Sequence, residues 1–597
     1  MIVLGINIGH DSSACLIKDG IPLSMIEEER YVRIKHVNKF DTFYRFPANS
    51  IRYCLNQANI TMKDVDAIAI PIDTGFYPYQ SMKNLIKIHR TSGKKITPKV
   101  LMKMYLKERT FSEKPVRTFL QRCFMSRLNE KLPPVHFVSH HLAHAASSFY
   151  VSGFKESAIL TIDGVGDGEC VGLWKGTQDG IEKISSSKHP NSLGKFYEAF
   201  VGFIGLARGE GSYKMMGLAP YGKLNNEIWQ KVEPLVKVNN GLPEIDGKIR
   251  YGDRTGSQNM IESEQLMELE ASETTTTMVS MFGKPNNKPK EPEQYYKDIA
   301  FAAQLKLEET LIDMVNHAID TTDSLNLSLA GGVALNCKAN GKIMATYTGL
   351  NEDFDMFVQP AANDGGLSLG AALEIANTLG DKQRFKQTHC YYGSSYDNDQ
   401  IEDVLKQSGL NYEYYPDNGI ADVVADKLHQ DYIIGWFQGR MEFGSRALGA
   451  RSILANPTNY GNFTKVNQFV KHRELWRPLS PSCLSDYMYE YFEHGGWNNP
   501  FMIMADQVKA GKNREIKAVV HVDNSARPQS VLKETNPLYY EMIKQFESKS
   551  GVPIVMNTSF NDAGDPIVEK PEQAIATFSF TGLDGIAIGD YWVEKNA

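Results

Sequence analysis

The sequence predicts an α/β protein of two or more domains, the first of them two-lobed, and three observations predict it. At 597 residues the chain exceeds what one ordinary core accommodates. A strand, an Asp/Gly turn and a second strand occur twice: IVLGIN, SACLIK and PLSMIEEE, with DG at 19–20, and then SAILTIDGVGDGECVGLW at 157–174. Further on, apolar strands run into glycine turns and helices. These are LNLSLAGGVALNCKANG (325–341) and FDMFV (354–358) leading into QPAANDGGLSLGAALEIA.

The remaining segments follow in order. Residues 83–131 carry fourteen Lys or Arg against three Glu. They read as a solvated helical insertion, ahead of a nucleic-acid patch or a basic wall facing an anionic ligand or a second subunit of a homodimer. Residues 238–297 are polar and Pro/Asn-rich, which predicts a surface excursion. The pattern lapses into NTLGDKQRFKQTHC at 377–390, so the expected domains are 1–378 and 388–597. Beyond the lapse, strand-like YIIGWF and VPIVMN flank a cluster of cations.

Composition excludes several classes. A hydrophobic share of 42% with a net charge of −7 is ordinary for a globular protein and offers no general attraction to nucleic acid. No apolar run approaches a membrane span, and MIVLGINIGHDSS lacks signal-peptide features. Seven scattered cysteines without a C-x-x-C pair argue against a disulfide framework or a zinc knuckle. A cytoplasmic location is expected.

Four stretches can carry chemistry. In HHLAHAASSFY (140–150), His140 and His144 leave one helix face a turn apart, although His141 and His144 also pair at i,i+3. A metal would need oxygen donors besides, and Asp163 and Asp364 stand at strand ends; two polar residues on a wet face are the alternative. The glycine turns DGVGDG and AGGVALN, the latter with Gly331, Gly332 and Asn336, suit close approach of phosphates, and SYKMMGLAPYG adds Lys214. Together they fit a nucleotide in the cleft of an actin-like ATPase fold. Arg440, Arg446, Arg451, Lys471, Arg473 and Arg477 lie among glycine and apolar residues, where cations tend to face an anion. Arg527, Asn557 and Ser559 follow, extending the expected pocket for phosphorylated ligands. In GHDSS, His10 follows the first strand and could take a proton from an attacking hydroxyl; a backbone-bonded histidine is the alternative.

These stretches, with EEERYVRIKH, SLGKFYEAF, GRMEFGSRALGARSI, HRELWRPLSPS, DNSARPQSV and NTSFNDAGDPIV, run nearly end to end. In that order they resemble the O-carbamoyltransferases of the tobramycin- and nodulation-factor-modifying type. The resemblance implies a threonylcarbamoyl-transferase-like, actin-like (ASKHA) N-terminal domain joined to a YrdC-like α/β domain. It implies iron on His140, His144, Asp163 and Asp364, and His10 as catalytic base. A nucleotide or carbamoyl-adenylate is expected at Lys214, Gly331, Gly332 and Asn336. Arg446, Lys471, Arg477, Arg527, Asn557 and Ser559 are expected to bind ATP, with Mg2+, and carbamoyl phosphate. Lys35 is expected on the side of the small-molecule hydroxyl acceptor. GEGSYKMMG departs from the acidic-glycine-lysine tripeptide common in the family.

The implied reaction makes carbamoyl-adenylate and passes the carbamoyl group to an alcohol. A hydrogenase-maturation carbamoyltransferase would bring cysteine-pair zinc fingers, which this sequence lacks. A tRNA threonylcarbamoylation enzyme, using the basic segment as tRNA surface, is the leading alternative, and a non-catalytic nucleotide scaffold is a third.

Overall fold

The structure, a computed structural model, describes residues 1–597 except 38–45, 84–85, 87–96, 110, 126–129, 207–209, 248, 250–274, 496 and 596–597. The chain forms two compact units, Met1–Leu23 with Phe40–Lys386, and Ser24–Lys39 with Gln387–Ala597. A division by position alone at 378–388 leaves residues 24–39 with the first domain. They pack with the second, for reasons visible in their hydrogen bonds.

The first unit contains the same sheet twice. Strands β1 (Ile2–Asn7), β2 (Ser13–Lys18), β3 (Ile21–Glu27), β4 (Ala67–Ile70) and β5 (Val135–Phe137) lie in the order β3-β2-β1-β4-β5. Strands β6 (Ser157–Gly166), β7 (Glu169–Gly176), β8 (Ile181–Lys188), β11 (Asn326–Ala330) and β12 (Asp355–Val358) lie in the order β12-β11-β6-β7-β8. In each, the first strand pairs antiparallel with the second and parallel with the fourth. This duplicated topology is the actin-like arrangement. Both predicted Asp/Gly turns close hairpins: Asp19 and Gly20 have φ of 49° and 72°, and Asp167 and Gly168 have 50° and 83°. Positive φ at both central residues gives a turn whose twist matches that of the strands it joins.

Close backbone approaches set the helix positions. The helix Leu367–Thr378 crosses β1 at Gly5, where a Cβ would lie 1.8 Å from the Ser368 carbonyl oxygen. It crosses the helix His140–Phe149 at Gly370, where a Cβ would lie 1.8 Å from the Ala143 oxygen. Only glycine permits either crossing.

In the basic insertion, the described helices are Pro98–Arg109 and Glu113–Phe124; the second buries Val116 and Leu120 in the first lobe's core. The 238–297 stretch is more than a surface excursion. Its residues Leu242–Ile245 (β10) pair with Val236–Asn239 (β9), and the helix Thr276–Phe282 buries Met278 and sets Phe282 5.8 Å from both Phe200 and Phe203. Polar composition hid this packing because few large side chains carry it.

The second unit holds an eight-stranded mixed sheet, β13-β22-β21-β14-β15-β20-β16-β19. The strands are β13 (Glu413–Tyr414), β14 (Ile434–Phe437), β15 (Arg451–Ala455), β16 (Ser480–Leu484), β19 (Gln529–Val531), β20 (Ile554–Ser559), β21 (Gly585–Ile588) and β22 (Tyr591–Glu594). A short pair, β17 (Asp506–Gln507) and β18 (Ser525–Ala526), stands apart. Neighbouring residues feed opposite cores: Phe437, Ile453, Met556 and Ile588 on one face, Trp436, Leu454, Val555 and Ala587 on the other. Two buried faces explain why these strands read as unbroken apolar runs. Among the described residues no helix is long and apolar enough to cross a membrane.

Candidate active site

One hairpin organises the first unit's chemistry. Asp163 stands near the end of β6, Gly166 closes the strand, and Asp167 follows in the turn. The Asp167 carboxylate accepts the backbone N–H groups of His140 (2.8 Å) and Asp73 (3.0 Å), so it caps the helix that carries the histidines. At Gly166 a Cβ would sit 2.0 Å from Cδ2 of His140; glycine is what lets that ring lie against the strand. Gly331, at φ 92°, brings the AGG turn against Ile162, and the Gly332 N–H donates to Oδ1 of Asp163 at 3.1 Å.

His140, His144, Asp163 and Asp364 converge, with one ligand atom from each within 4.8 Å of the others. Nε2 of His140 lies 3.3 Å from Asp163 Oδ2 and 3.6 Å from Asp364 Oδ1, and Nε2 of His144 lies 3.6 Å from the same Asp364 oxygen. His144 is fully buried and neither ring nitrogen makes a hydrogen bond. Burying an imidazole in that state is costly unless something else takes its lone pair. Two imidazole nitrogens with two carboxylates form a donor set for a divalent transition ion, so these residues fit a metal. Burial opposes a charge on His140, but Asp364 and Asp163 outweigh it and raise the imidazole to about 9. His141 is separate: its Nδ1 meets Thr161 Oγ1 at 2.9 Å, and burial followed by the charges of His140 and His144 pushes it down to about 3. The i,i+4 pair, and not the i,i+3 pair, faces the aspartates.

The first loop is stitched to the Asp364 turn. The Asn7 side-chain amide donates to the backbone oxygens of His10, Asp11 and Asp364, the last at 2.8 Å. Ser13 donates to the Gly365 oxygen at 2.7 Å. His10 Nδ1 lies 3.0 Å from Asp11 Oδ2, which also accepts from Asn363 at 2.7 Å. Asp11 sits at φ 49°, a strained conformation for a residue with a side chain, of the kind that collects at functional loops. Its charge, against a smaller desolvation effect, raises His10 to about 9. Asn336 caps the helix Cys337–Thr348 and exchanges hydrogen bonds with Gln304 (2.9 and 3.0 Å). Lys214 is half-buried in the helix Glu210–Leu218.

In the second unit, hydrogen bonds and strand register gather the candidates around β20. Asn557 donates to the Ala447 oxygen (3.1 Å), next to Arg446, and to Ser482 Oγ (2.9 Å). It pairs across β16 with Ser480, whose hydroxyl accepts from Arg527 at 3.0 Å. Lys471 Nζ donates to the Ser559 oxygen (2.8 Å) and to both oxygens of Asn561 (2.6 and 2.7 Å). Burial, and then the charges of Arg473, Lys35 and Arg477, hold this lysine well below its ordinary range. Lys35 therefore stands among the second unit's cations.

The expected arginine cluster separates into two sets. Arg451 is fully buried, stacks 3.7 Å over Phe437 and donates to the carbonyls of Gln438, Gly439, Ala450 and Ser394. Arg440 donates to Tyr392 and Gly393, and Arg473 to Asn467. These three brace the backbone and the loops.

Asn7, Asp11, Asn363, Asp167 and Gly166 escaped sequence reasoning as functional residues. Their quoted motifs were the only signal; their partners lie up to 357 positions away.

Residues 2–373 match the carbamoyltransferase N-terminus family and residues 425–595 the carbamoyltransferase C-terminus family. An uncharacterized protein of Synechocystis sp. is 33% identical over 98% of this chain and 95% of its own length. Nodulation protein NolNO of Sinorhizobium fredii is 35% identical over 98% of this chain and 79% of its own. The 3'-hydroxymethylcephem-O-carbamoyltransferase of Amycolatopsis lactamdurans is 29% identical over 45% of this chain and 49% of its own. The chain belongs to the carbamoyltransferase family and is a carbamoyltransferase.

Proposed function

We propose that the protein is an ATP-dependent O-carbamoyltransferase that forms carbamoyl-adenylate from ATP, with Mg2+, and carbamoyl phosphate in its C-terminal unit. It uses the adenylate at the N-terminal unit to carbamoylate a hydroxyl of a small molecule. The observation that carries the reading is the convergence of buried His140 and His144 on half-buried Asp163 and Asp364, with His10 tied by Asn7 to the Asp364 turn.

In the C-terminal unit Arg446, Arg477 and Arg527 would bind phosphate oxygens, while Asn557 and Ser559 present fixed dipoles from β20 and Lys471, hydrogen-bonded to Ser559 and Asn561, presents N–H donors beside them. Carbamoyl phosphate loses inorganic phosphate to water, and the carbamate oxygen then displaces pyrophosphate from the α-phosphorus of ATP, giving an adenylate whose AMP departs when the alcohol attacks. In the N-terminal unit Lys214 and the Gly331–Gly332 turn would hold the nucleotide, and Asn336 would fix the helix start beside it. His10 donates its Nδ1 proton to Asp11, leaving Nε2 to take the acceptor's proton as the hydroxyl attacks the carbamoyl carbon. Iron held by His140, His144, Asp163 and Asp364 would supply Lewis-acid chemistry at that site. The acceptor class, a small hydroxylated natural product, follows the hydroxymethylcephem on which the cephem relative acts.

The test is label transfer from carbamoyl phosphate to a panel of hydroxylated sugars and hydroxymethylcephems. The reading expects labelled, alkali-labile carbamate on oxygen, and only with ATP. Transfer without ATP would contradict it. Labelling of tRNA from bicarbonate and threonine would favour the tRNA-modifying alternative.

A further inference from the structure

The turn Glu27–Arg33 lies early in the sequence, yet its side chains are spent on two loops of the second unit. The Gly444 N–H donates to Glu27 Oε1 at 2.7 Å, and Arg30 Nη2 donates to the Gly444 oxygen at 2.9 Å. Both polar groups of one glycine, at φ 113°, are thus gripped two residues before Arg446. Glu29 completes the grip, accepting from Arg30 at 2.7 Å and from the His36 N–H at 2.7 Å. Arg33 then donates to the carbonyl oxygens of Ile567 and Pro566, each at 2.7 Å. That second loop begins at Asn561, which cages Lys471.

The far side of the Arg446 loop is fixed by other residues. Ala447 is held by Asn557, Leu448 by Tyr391 and Gln529 (2.8 Å each), and Gly449 by Trp436 (2.9 Å). Glu442 accepts the N–H groups of Leu448 and Ala450. On the near side the Phe443 N–H donates to the Cys390 oxygen at 2.8 Å, and Gly444, the residue nearer Arg446, is held by Glu27 and Arg30. Glu27, Glu29 and Arg30 are all buried, and desolvating three ionisable groups for one turn is a poor route to stability. What the arrangement supplies is geometry.

We propose that Glu27, Arg30 and Arg33 are positioning residues for the phosphate-binding loops of the C-terminal unit. Glu27 and Arg30 aim Arg446, and Arg33 holds the loop behind Lys471. This rests on the adenylate-forming reading above.

The test compares full-length wild type with Arg30→Ala, Arg30→Lys, Glu27→Ala and Glu27→Gln. It follows pyrophosphate release, and carbamoyl phosphate binding by calorimetry. The alanine variants should raise KM and Kd for carbamoyl phosphate roughly tenfold or more while kcat at saturation stays within about threefold. Arg30→Lys and Glu27→Gln, which keep a donor and an acceptor for Gly444, should recover most of the loss. Combined with Arg446→Lys, Arg30→Ala should cost far less than in the wild-type background, because both changes spoil one contact. Additive effects in that cycle, or alanine variants that bind like wild type, overturn the proposal. Wild type that binds carbamoyl phosphate but releases no pyrophosphate would sink the adenylate reading and leave positioning to be judged on binding. Wild type that does neither sinks both.

Discussion

Asp167 accepts the backbone N–H of His140 at 2.8 Å, so the turn four residues beyond Asp163 also caps the helix bearing His140 and His144. The strand of Asp163 and the helix of His140 and His144 are held by one short loop. Asp167→Ala should cost about 1 kcal/mol of stability, the usual worth of an N-terminal cap. It should also weaken metal binding roughly tenfold, as loss of an orienting partner does. Thermal unfolding with and without added Fe2+, and a metal titration, check this.

Gly166→Ala should act on the ring directly. The new methyl would sit 2.0 Å from Cδ2 of His140, so the imidazole must move while the rest of the fold stays. Metal affinity should fall further than in Asp167→Ala, with circular dichroism unchanged.

The arginines should separate by assay. Arg451→Ala strips a fully buried guanidinium from four carbonyl partners and should destabilise the protein by about 3–5 kcal/mol. Arg527→Ala, which removes a hydrogen bond to the Ser480 hydroxyl, should change stability by less than about 1 kcal/mol yet impair pyrophosphate release. Denaturant melts and the release assay distinguish them.

Carbamoyl transfer should carry the signature of His10. Asp11 raises this imidazole to about 9, so at neutral pH most of it is protonated and unable to accept a proton. The transfer rate should climb as pH rises from 6 and level near 9, about tenfold per unit on the steep limb. Asp11→Asn removes the charge that raises the pKa; the limb should move to lower pH and the plateau should drop as the ring loses its orientation.

Glu27 gives a stability counterpart. Burial, opposed by Arg30, raises its carboxyl to about 7. A carboxyl with a raised folded-state pKa keeps its proton where the unfolded chain has lost it, so stability falls as pH rises from the ordinary glutamate range to about 7. Over that window wild type should lose up to about 3 kcal/mol that Glu27→Gln does not lose. Melts at stepped pH read the difference.

Local chemistry was legible in the sequence and long-range pairing was not. DG at 19–20 and 167–168 announced two hairpins because only a few residue types accept positive φ twice in succession. The His140/His144 spacing gave a ligand face, but the choice against His141 needed Thr161, Asp163 and Asp364 in space. Arginine composition could not tell Arg451 from Arg446, since both lie among glycine and apolar residues in sequence, while in space Arg451 is fully buried against four carbonyls and Arg446 is half-buried. Nothing in EEERYVR states that Gly444, more than 400 residues on, is its partner.

The measurement that tests the central claim most directly is pyrophosphate release from ATP, dependent on carbamoyl phosphate, in wild type, Arg446→Ala and His144→Ala. Two separate chemistries in two units predict release by wild type and His144→Ala and none by Arg446→Ala. Release that survives Arg446→Ala and is lost in His144→Ala would contradict the account.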